Sequence, residues 1–480
     1  MGLSVFITGC ANEKYLAKPL DPASSSAKLL NKDATSADFN AYLIKQGYVE
    51  KDLPFATWGL NELTLCALYH HTKLDVAKAQ LALANAAVNI ANQKQNPALV
   101  GRVAHSNLAN NDNSPWAFGL EVEIPIEMGN KRQIRVEEAQ HLAEAARIDV
   151  AEVAWQLRSQ IAKDLLRYHE NIALQKQLTN EVKTQDALLK ILEKRVQLGA
   201  LSNTELSLAK LYQQKTLFTL NSEQARSAET LAALASDVGL SIEKFNSITL
   251  KPLDLEATLA QPAKLTNAPK NLQAEKLQES ALLNRLDIRR SLEKYAAAEA
   301  RIKLEVAKQT PDISLRPGFF FEFGDSIWSL GFSTLLNLLN KNQTFIAEAT
   351  QLREIEGAQF EALQAKIIGD LSQKLATYQA SLQNINQIKT QQATQMRYSQ
   401  KLQRQFDAGL IDRLALTQNA LNTSLLEQQL LNAQFSNLNA ALAIEDTMQR
   451  PLFWRFNYLM TLLFDDFLGQ LNKSWTKNSA

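Results

Sequence analysis

Apolar and polar side chains alternate along several short segments of this chain, and the clearest of these segments begins at Phe118. There, five apolar residues at every second position are separated by residues that include two glutamates. This period places all the apolar side chains of a strand on one face. The alternation recurs at 313–324 and 328–336, and an extended segment before the loop at 107–115 supplies a fourth strand. Each strand is about 10 residues long, the length at which a tilted strand crosses a bilayer.

Apolar residues recur at intervals of three and four along two much longer segments. Residues 131–198 contain neither Gly nor Pro, and these 68 residues would extend roughly 100 Å as a helix. The second segment carries the alternation typical of a coiled-coil seam at Leu371, Leu375, Tyr378, Leu382 and Ile385. Each segment ends at a glycine, Gly199 or Gly409. Ser202 and Asp412 follow, where they can cap a returning helix, so the sequence predicts two long helical hairpins.

The order of helix, strand hairpin, long helix, glycine turn and helix occurs twice. Matched positions lie 210 to 214 residues apart, among them the pairs Leu74/Leu286, Trp116/Trp328 and Gly199/Gly409. A unit of this length far exceeds a solenoid repeat and indicates a duplicated domain. Each repeat should open with a helix, which in the first repeat is predicted over about 61–95. We expect a signal segment at 1–10, an N-terminal segment at 11–60, the first repeat at 61–239, a connector at 240–276, the second repeat at 277–450 and a tail at 451–480.

Composition excludes several function classes. Lys and Arg number 51 against 50 Asp and Glu, so the net charge of +1 does not favour nucleic acid as a partner. No uninterrupted run of 18 apolar residues is present, so no transmembrane helix is predicted. The five histidines lack the spacing of metal ligands and are expected at the surface. No nucleophile motif, phosphate-binding loop or dinucleotide fingerprint occurs, so we expect no metal, no cofactor and no catalysis.

The four predicted strands pose a closure problem. They cannot form a membrane barrel alone, because the smallest such barrels have about eight strands. Lipid leaves no strand edge unpaired, so several chains must pool their strands, giving eight for two chains and twelve for three. If the apolar faces meet lipid, the pore-lining residues are Glu121, Glu123, Arg316 and Glu322. The alternative is a soluble four-stranded sheet whose apolar face packs on helices.

The segment FGLEVEIPIEMGNKR, residues 118–132, resembles the second strand and the start of the long helix in the TolC-like outer-membrane efflux proteins, particularly the branch that serves heavy-metal exporters. With the duplicated order of elements, the resemblance extends over about residues 60–450. It implies a mainly α fold with a small β part, in which duplicated hairpins form a periplasmic α-barrel. Four strands per chain would contribute to a trimeric 12-stranded outer-membrane β-barrel. A periplasmic adaptor and an inner-membrane pump are the implied partners.

The resemblance also implies that the adaptor docks at the hairpin tips. The matching residues are Leu198, Gly199, Ala200, Leu201, Ser202, Ala408, Gly409, Leu410, Ile411 and Asp412. Small and apolar turns allow close backbone approach, although each glycine could simply permit a left-handed helix end. Many relatives place an acidic residue six positions after the tip glycine, at the narrow periplasmic aperture. Glu205 occupies that place in the first repeat, whereas Ala415 does so in the second, where Asp412 is the candidate substitute.

The two cysteines have different predicted environments. Cys10 ends the sequence Ile-Thr-Gly-Cys after a short apolar run and resembles the lipobox of bacterial lipoproteins, in which the cysteine is acylated with palmitate or a similar chain. The run is short and no Lys or Arg precedes it, so either the true start lies upstream or the match is accidental. Cys66 lies in an apolar segment and is predicted to be a buried thiol.

Taken with the resemblance, these patterns predict a passive exit duct of a tripartite efflux system for drugs or metal ions. We expect it in the bacterial outer membrane, lipid-anchored and membrane-spanning, with a helical barrel in the periplasm. One alternative is the outer-membrane duct of a type I polypeptide secretion system. Another, from a different class, is a coiled-coil scaffold without a pore. The aromatic tail at 452–475 is predicted to pack against the connector.

Overall fold

The computed structural model describes residues 15–107, 114–263, 277–279, 281–322, 324–335 and 340–451. Its first half contains α1 (Pro22–Leu30), α2 (Ala37–Lys45), a 3-10 turn (Glu50–Asp52), α3 (Leu60–His70), α4 (Thr72–Ala91), β1 (Ala98–His105), β2 (Trp116–Ile126), α5 (Lys131–Gln197) and α6 (Asn203–Val238). The remainder contains α7 (Ile242–Phe245), α8 (Leu255–Ala263), α9 (Leu286–Ala307), β3 (Ile313–Glu322), β4 (Asp325–Thr334), α10 (Gln343–Asp407) and α11 (Arg413–Met448). The described chain is mainly helical with four strands, which confirms the predicted fold class. The acyl-acceptor candidate Cys10 and the tail after Pro451 lie outside these residues.

Two long rods dominate the molecule. Helix α5 has 67 residues and α10 has 65, so each extends about 100 Å. The predicted seam of α10 is buried at Leu371, Tyr378 and Ile385, as coiled-coil packing requires. Each rod turns back at its glycine into a helix of 36 residues, α6 or α11. The two predicted helical hairpins are therefore present.

The helix predicted over 61–95 is instead two helices, α3 and α4, separated at His71. The backbone of His71 is extended, with ψ 124°, and its Nδ1 accepts a hydrogen bond from Lys73 N–H at 3.1 Å, which caps α4. Close packing accompanies the break, because a Cβ on Gly239 would lie 3.0 Å from the His70 carbonyl carbon. Periodicity alone did not reveal this corner, since apolar residues continue through it.

The long helices form one layer, four helices wide at each level. Toward the tips the order is α6, α5, α11 and α10, because α5 packs against α6 and α11, while α11 packs against α10. Toward the strands, α5 packs against α4 and α9, and α9 packs against α10. Leu286 N–H at the start of α9 donates to Gln449 Oε1 after α11, at 2.8 Å, and joins the two levels. The layer is open, with α6 and α10 at its edges toward the tips.

A compact belt packs on the helical layer near the middle of α5. The N-terminal segment contributes Phe39 and Trp58, which pack in one cluster with Leu63 of α3 and Leu234 of α6. Trp58 N–H donates to Thr249 C=O at 2.9 Å, which pairs this segment with the start of the connector. Farther along the connector, apolar side chains of α8 pack against α5 and α11. The belt thus contacts both hairpins.

A buried ion pair joins α5 to α11 in the same region. Arg158 Nη1 lies 2.6 Å from Glu445 Oε1, and both side chains are fully buried. The Arg158 guanidinium also lies 5.1 Å from the Trp155 ring centroid, a distance at which cation–π attraction operates. The adjacent Asp446 accepts a hydrogen bond from Ser159 Oγ at 2.6 Å. Because the hydrophobic clusters around these groups exclude water, the two charges depend on each other.

Two hydrogen-bonded polar layers interrupt the seam inside each hairpin. On the outgoing helices, Asn171 and Ser381 lie 28 residues before the tip glycine, and Gln185 and Gln395 lie 14 before it. Their partners on the returning helices are Thr230 at 3.2 Å, Asn437 at 2.8 Å, Thr216 at 2.9 Å and Thr423 at 3.2 Å, respectively. Within each returning helix the two partners are also 14 residues apart, which is two heptads. Polar groups at such core positions fix helix register at some cost in stability.

Candidate functional site

The four strands form a single antiparallel sheet in the order β1-β2-β3-β4. The strands from the two repeats meet at its centre, where β2 pairs with β3. Both outer strands, β1 and β4, therefore have one edge without a partner inside this sheet. Such an edge presents a row of free N–H and C=O groups that can pair with another chain.

One face of the sheet is apolar and exposed. Paired residues project to the same side, which places Val103 with Phe118 and Phe319 with Trp328 on this face. Its exposed large side chains include Leu99, Val103, Phe118, Leu120, Ile124, Ile126, Phe319, Trp328, Leu330 and Phe332. The exposed fraction is 50% for Phe118 and 82% for Trp328, so the protein's own helices do not cover them. The alternative of a sheet whose apolar face packs on the chain's own helices is therefore wrong.

The opposite face carries the four residues predicted to line a pore. Arg316 lies between two carboxylates, with Nη2 at 3.1 Å from Glu123 Oε1 and Nε at 3.5 Å from Glu121 Oε1. Glu322 is farther along β3, opposite Ala117 and Asp325 in the ladder. The structure therefore places all four on one face, at three different levels along the strands.

The turns at the hairpin tips are nearly identical. Gly199 and Gly409 both have φ +71°, and a Cβ on either would meet nothing within 4 Å. Within the chain, the glycines thus serve the left-handed backbone and relieve no close contact. Leu198 and Leu410 flank them with 73% and 74% of their surface exposed. Each tip therefore presents an apolar side chain next to an unobstructed backbone.

An ion pair connects the two tips of one chain. Arg195, in the last turn of α5, pairs with the Asp412 carboxylate, which also accepts Ala415 N–H at 2.9 Å and caps α11. Hydrogen bonding from Arg195 lowers the pKa of Asp412. Asp412, considered as a substitute for the missing aperture carboxylate, is therefore already engaged. The sequence did not reveal Arg195, because its partner is 217 residues away.

Comparison with known proteins finds this fold among solved structures but not among sequence relatives. No protein-family model and no curated protein matches the sequence. Among solved structures, the outer membrane protein VceC from Vibrio cholerae is 18% identical, with 82% of this chain and 96% of VceC covered and a TM-score of 0.64. The outer-membrane channel OprN is 16% identical, and the match covers 88% of this chain and 98% of OprN with a TM-score of 0.66. CusC, whose structures concern folding and transmembrane channel formation, is 17% identical to this chain. The match covers 83% of this chain and 93% of CusC, with a TM-score of 0.62.

The chain has the fold of the TolC-like outer-membrane channels. Glu205 lies in the first turn of α6, where its N–H donates to Ser202 Oγ at 3.4 Å. The serine thereby caps the returning helix as the sequence predicts. Ala200, Leu201, Ala408 and Ile411 complete the two turns.

The histidines correct one expectation from the sequence. His70 is buried and not at the surface, because α2 covers it: the Phe39 and His70 ring centroids are 5.5 Å apart. Burial lowers the pKa of His70 to about 4, and that of His169 to about 4 as well. Within the described ranges, no group of three or more His, Cys, Asp or Glu side chains could hold a metal ion. Among the helices in those ranges, none has the length and hydropathy needed to span a membrane.

Proposed function

We propose that this protein is a passive exit duct in the outer membrane, built by several copies of the chain. The observation that carries the proposal is the sheet, which has one exposed apolar face, one charged face and two open edges. Lipid accommodates the apolar face, and pairing between chains satisfies the edges. Glu121, Glu123, Arg316 and Glu322 would then line a water-filled pore. A soluble scaffold would leave these features without a role.

The helical layer supports the same assembly. Its edge helices carry exposed apolar residues, including Leu208, Leu211 and Tyr212 on α6 and Met396 on α10. Tyr212 lies 13 residues after Gly199, and Met396 lies 13 before Gly409, so both stand at the same distance from their tips. A neighbouring chain can therefore place its α10 against this α6 while its β4 pairs with β1. A ring of three chains, with twelve strands, is the size that the TolC-like resemblance implies.

At the other end, the tips offer a place for a partner. Leu198 and Leu410 are exposed beside open turns, and the Arg195 pair with Asp412 holds the two tips of a chain together. We assign to this surface the periplasmic adaptor that links the duct to an inner-membrane pump. Glu205 would face the aperture that the tips surround. The cargo, drugs or metal ions, would be chosen by the pump, and acylation of Cys10 would add a lipid anchor.

The test is complementation of a strain lacking this gene, with sensitivity to a panel of drugs and metal ions as the measurement. Wild-type protein should restore resistance, and the Leu198→Glu/Leu410→Glu variant should not, because charge removes the apolar docking contacts. Asn180→Glu, exposed on α5 away from the tips, is the matched control and should restore resistance. Membrane fractionation and cross-linking must show outer-membrane trimers for all three proteins. Recovery of a soluble monomer would overturn the duct, whereas full resistance with the tip variant would overturn docking.

A further inference from the structure

Within the described strand residues, one aromatic ring lies on the charged face of the sheet. Phe320 is seated over the two glycines at the centre of the sheet, Gly119 on β2 and Gly318 on its own strand. A Cβ on Gly119 would lie 2.5 Å from Phe320 Cδ1, and one on Gly318 would lie 2.9 Å from Cε2. The ring therefore occupies the space above both glycines and lies against the backbone. In this position one face of the ring is turned away from the sheet, and the residue remains partly exposed.

Carboxylates flank this ring along the strand direction. Glu322 follows Phe320 by two residues on the same face, and Glu121, paired with Gly318, stands one level away on the other side. Arg102 lies in the row of the ring, across Gly119, while Arg316 is shared between Glu121 and Glu123. Counting Asp325 opposite Glu322, the described strands carry four carboxylates and two guanidinium groups on this face.

We propose that this part of the wall is a weak binding site for organic cations with a bulky apolar body. This inference rests on the proposed duct, in which the face lines the pore. An aromatic face attracts a cation through its quadrupole and an apolar body through contact area. The excess of carboxylates favours positive charge and disfavours an anion of the same shape. Three chains would present three such rings at one level, so a passing cation could move between equivalent positions.

The charge preference can be tested with two ions of almost equal shape. The purified oligomer is placed in a planar bilayer, and ionic current is recorded with tetraphenylphosphonium or tetraphenylborate on either side. We expect tetraphenylphosphonium to block the current at concentrations about tenfold lower than tetraphenylborate does. Equal block by the two ions would overturn the proposal. A protein that forms no pore would instead refute the duct.

Variants separate the ring from the surrounding charge. Phe320→Leu should raise the blocking concentration of tetraphenylphosphonium about tenfold, whereas Phe320→Tyr should retain block. Glu121→Gln/Glu322→Gln should reduce the difference between the two ions. Phe321→Leu, on the opposite face of the same strand, is the matched control and should behave like the wild type. Unchanged block of the Phe320→Leu variant by tetraphenylphosphonium would show that the ring only packs above the glycines, and would overturn the proposal.

A second measurement does not require conduction. Equilibrium dialysis of tetraphenylphosphonium against detergent-solubilised oligomer should show binding by the wild type and by Phe320→Tyr, with a loss for Phe320→Leu. Circular dichroism and the oligomer band on a gel report whether each variant is assembled. Absence of binding to an assembled wild-type protein would overturn the inference even if the bilayer experiment fails.

Discussion

Adjacent residues of β4 allow a direct test of the proposal that the apolar face of the sheet meets lipid. Leu330 is 75% exposed on the apolar face, and Ser329 beside it projects to the charged face, opposite Gly318. Arginine at either position has the same charge and nearly the same depth in the membrane. The two substitutions, Leu330→Arg and Ser329→Arg, therefore differ mainly in the direction of the side chain.

The expected difference is large. Arginine on the lipid face near the bilayer midplane costs about 2–4 kcal/mol. A trimer would incur that cost three times, so Leu330→Arg should destabilise the assembled barrel by roughly 6–12 kcal/mol. Arginine in place of Ser329 would point into water near Glu121, where the cost is about zero. Only the lipid-facing variant should lose assembly.

Folding into phospholipid vesicles supplies the assay. Denatured protein is diluted into thin bilayers, and the assembled fraction is read from the band that resists dissociation on an unheated gel. Wild-type and Ser329→Arg proteins should give that band in similar amounts, and Leu330→Arg should give little. Equal assembly of the two variants, or greater loss for Ser329→Arg, would refute the assignment of the faces.

Two further predictions concern buried charges away from the sheet. Removal of one partner of the ion pair, as in Glu445→Ala, should destabilise the protein by about 3–5 kcal/mol because it leaves Arg158 charged and buried. Replacement of both partners, as in Arg158→Met/Glu445→Leu, should be near neutral. Thermal unfolding followed by circular dichroism distinguishes the two variants, and equal losses of stability would contradict the pairing. Burial, together with a hydrogen bond that protonated Asp237 donates to the Asp164 carboxylate, raises the pKa of Asp237 to about 7, so the folded protein holds a proton that the unfolded chain releases above about pH 4. The stabilisation is present below about pH 4 and is lost as the pH rises through about 7. Asp237→Asn should flatten this decline and add about 2 kcal/mol to the free energy of unfolding at pH 8. An unchanged slope of stability against pH would argue against the shared proton.

Local patterns were enough to predict the strands and the rods. The alternation after Phe118 is decisive because a sheet with one apolar and one polar face requires period two over its whole length. The absence of Gly and Pro before Gly199 likewise leaves one long helix as the natural outcome. Tip capping by Ser202 and Asp412 also followed from sequence, since a cap acts within one turn.

Features that depend on distant partners were not predictable in this way. Arg158 has the same local pattern as any exposed arginine of a helix, and its partner Glu445 lies in the other repeat. His70 is buried only because α2 folds back over it, and the corner at His71 is shaped by contact with Gly239. Helical periodicity describes one helix at a time and cannot state which other segment packs against it.

The polar layers inside the hairpins also set a rule for length. The hydrogen-bonded residues of the two outgoing helices lie at the same distances from Gly199 and Gly409, and their partners on each returning helix are two heptads apart. A change in the length of one helix alone would therefore misalign donors and acceptors in that hairpin. An extension is tolerated when it adds a whole heptad, about 10 Å, to the outgoing and returning arms together. It must also be made in both hairpins, or one tip would project beyond the other. The reach of the two hairpins can therefore change only in discrete steps, taken by all four long helices at once.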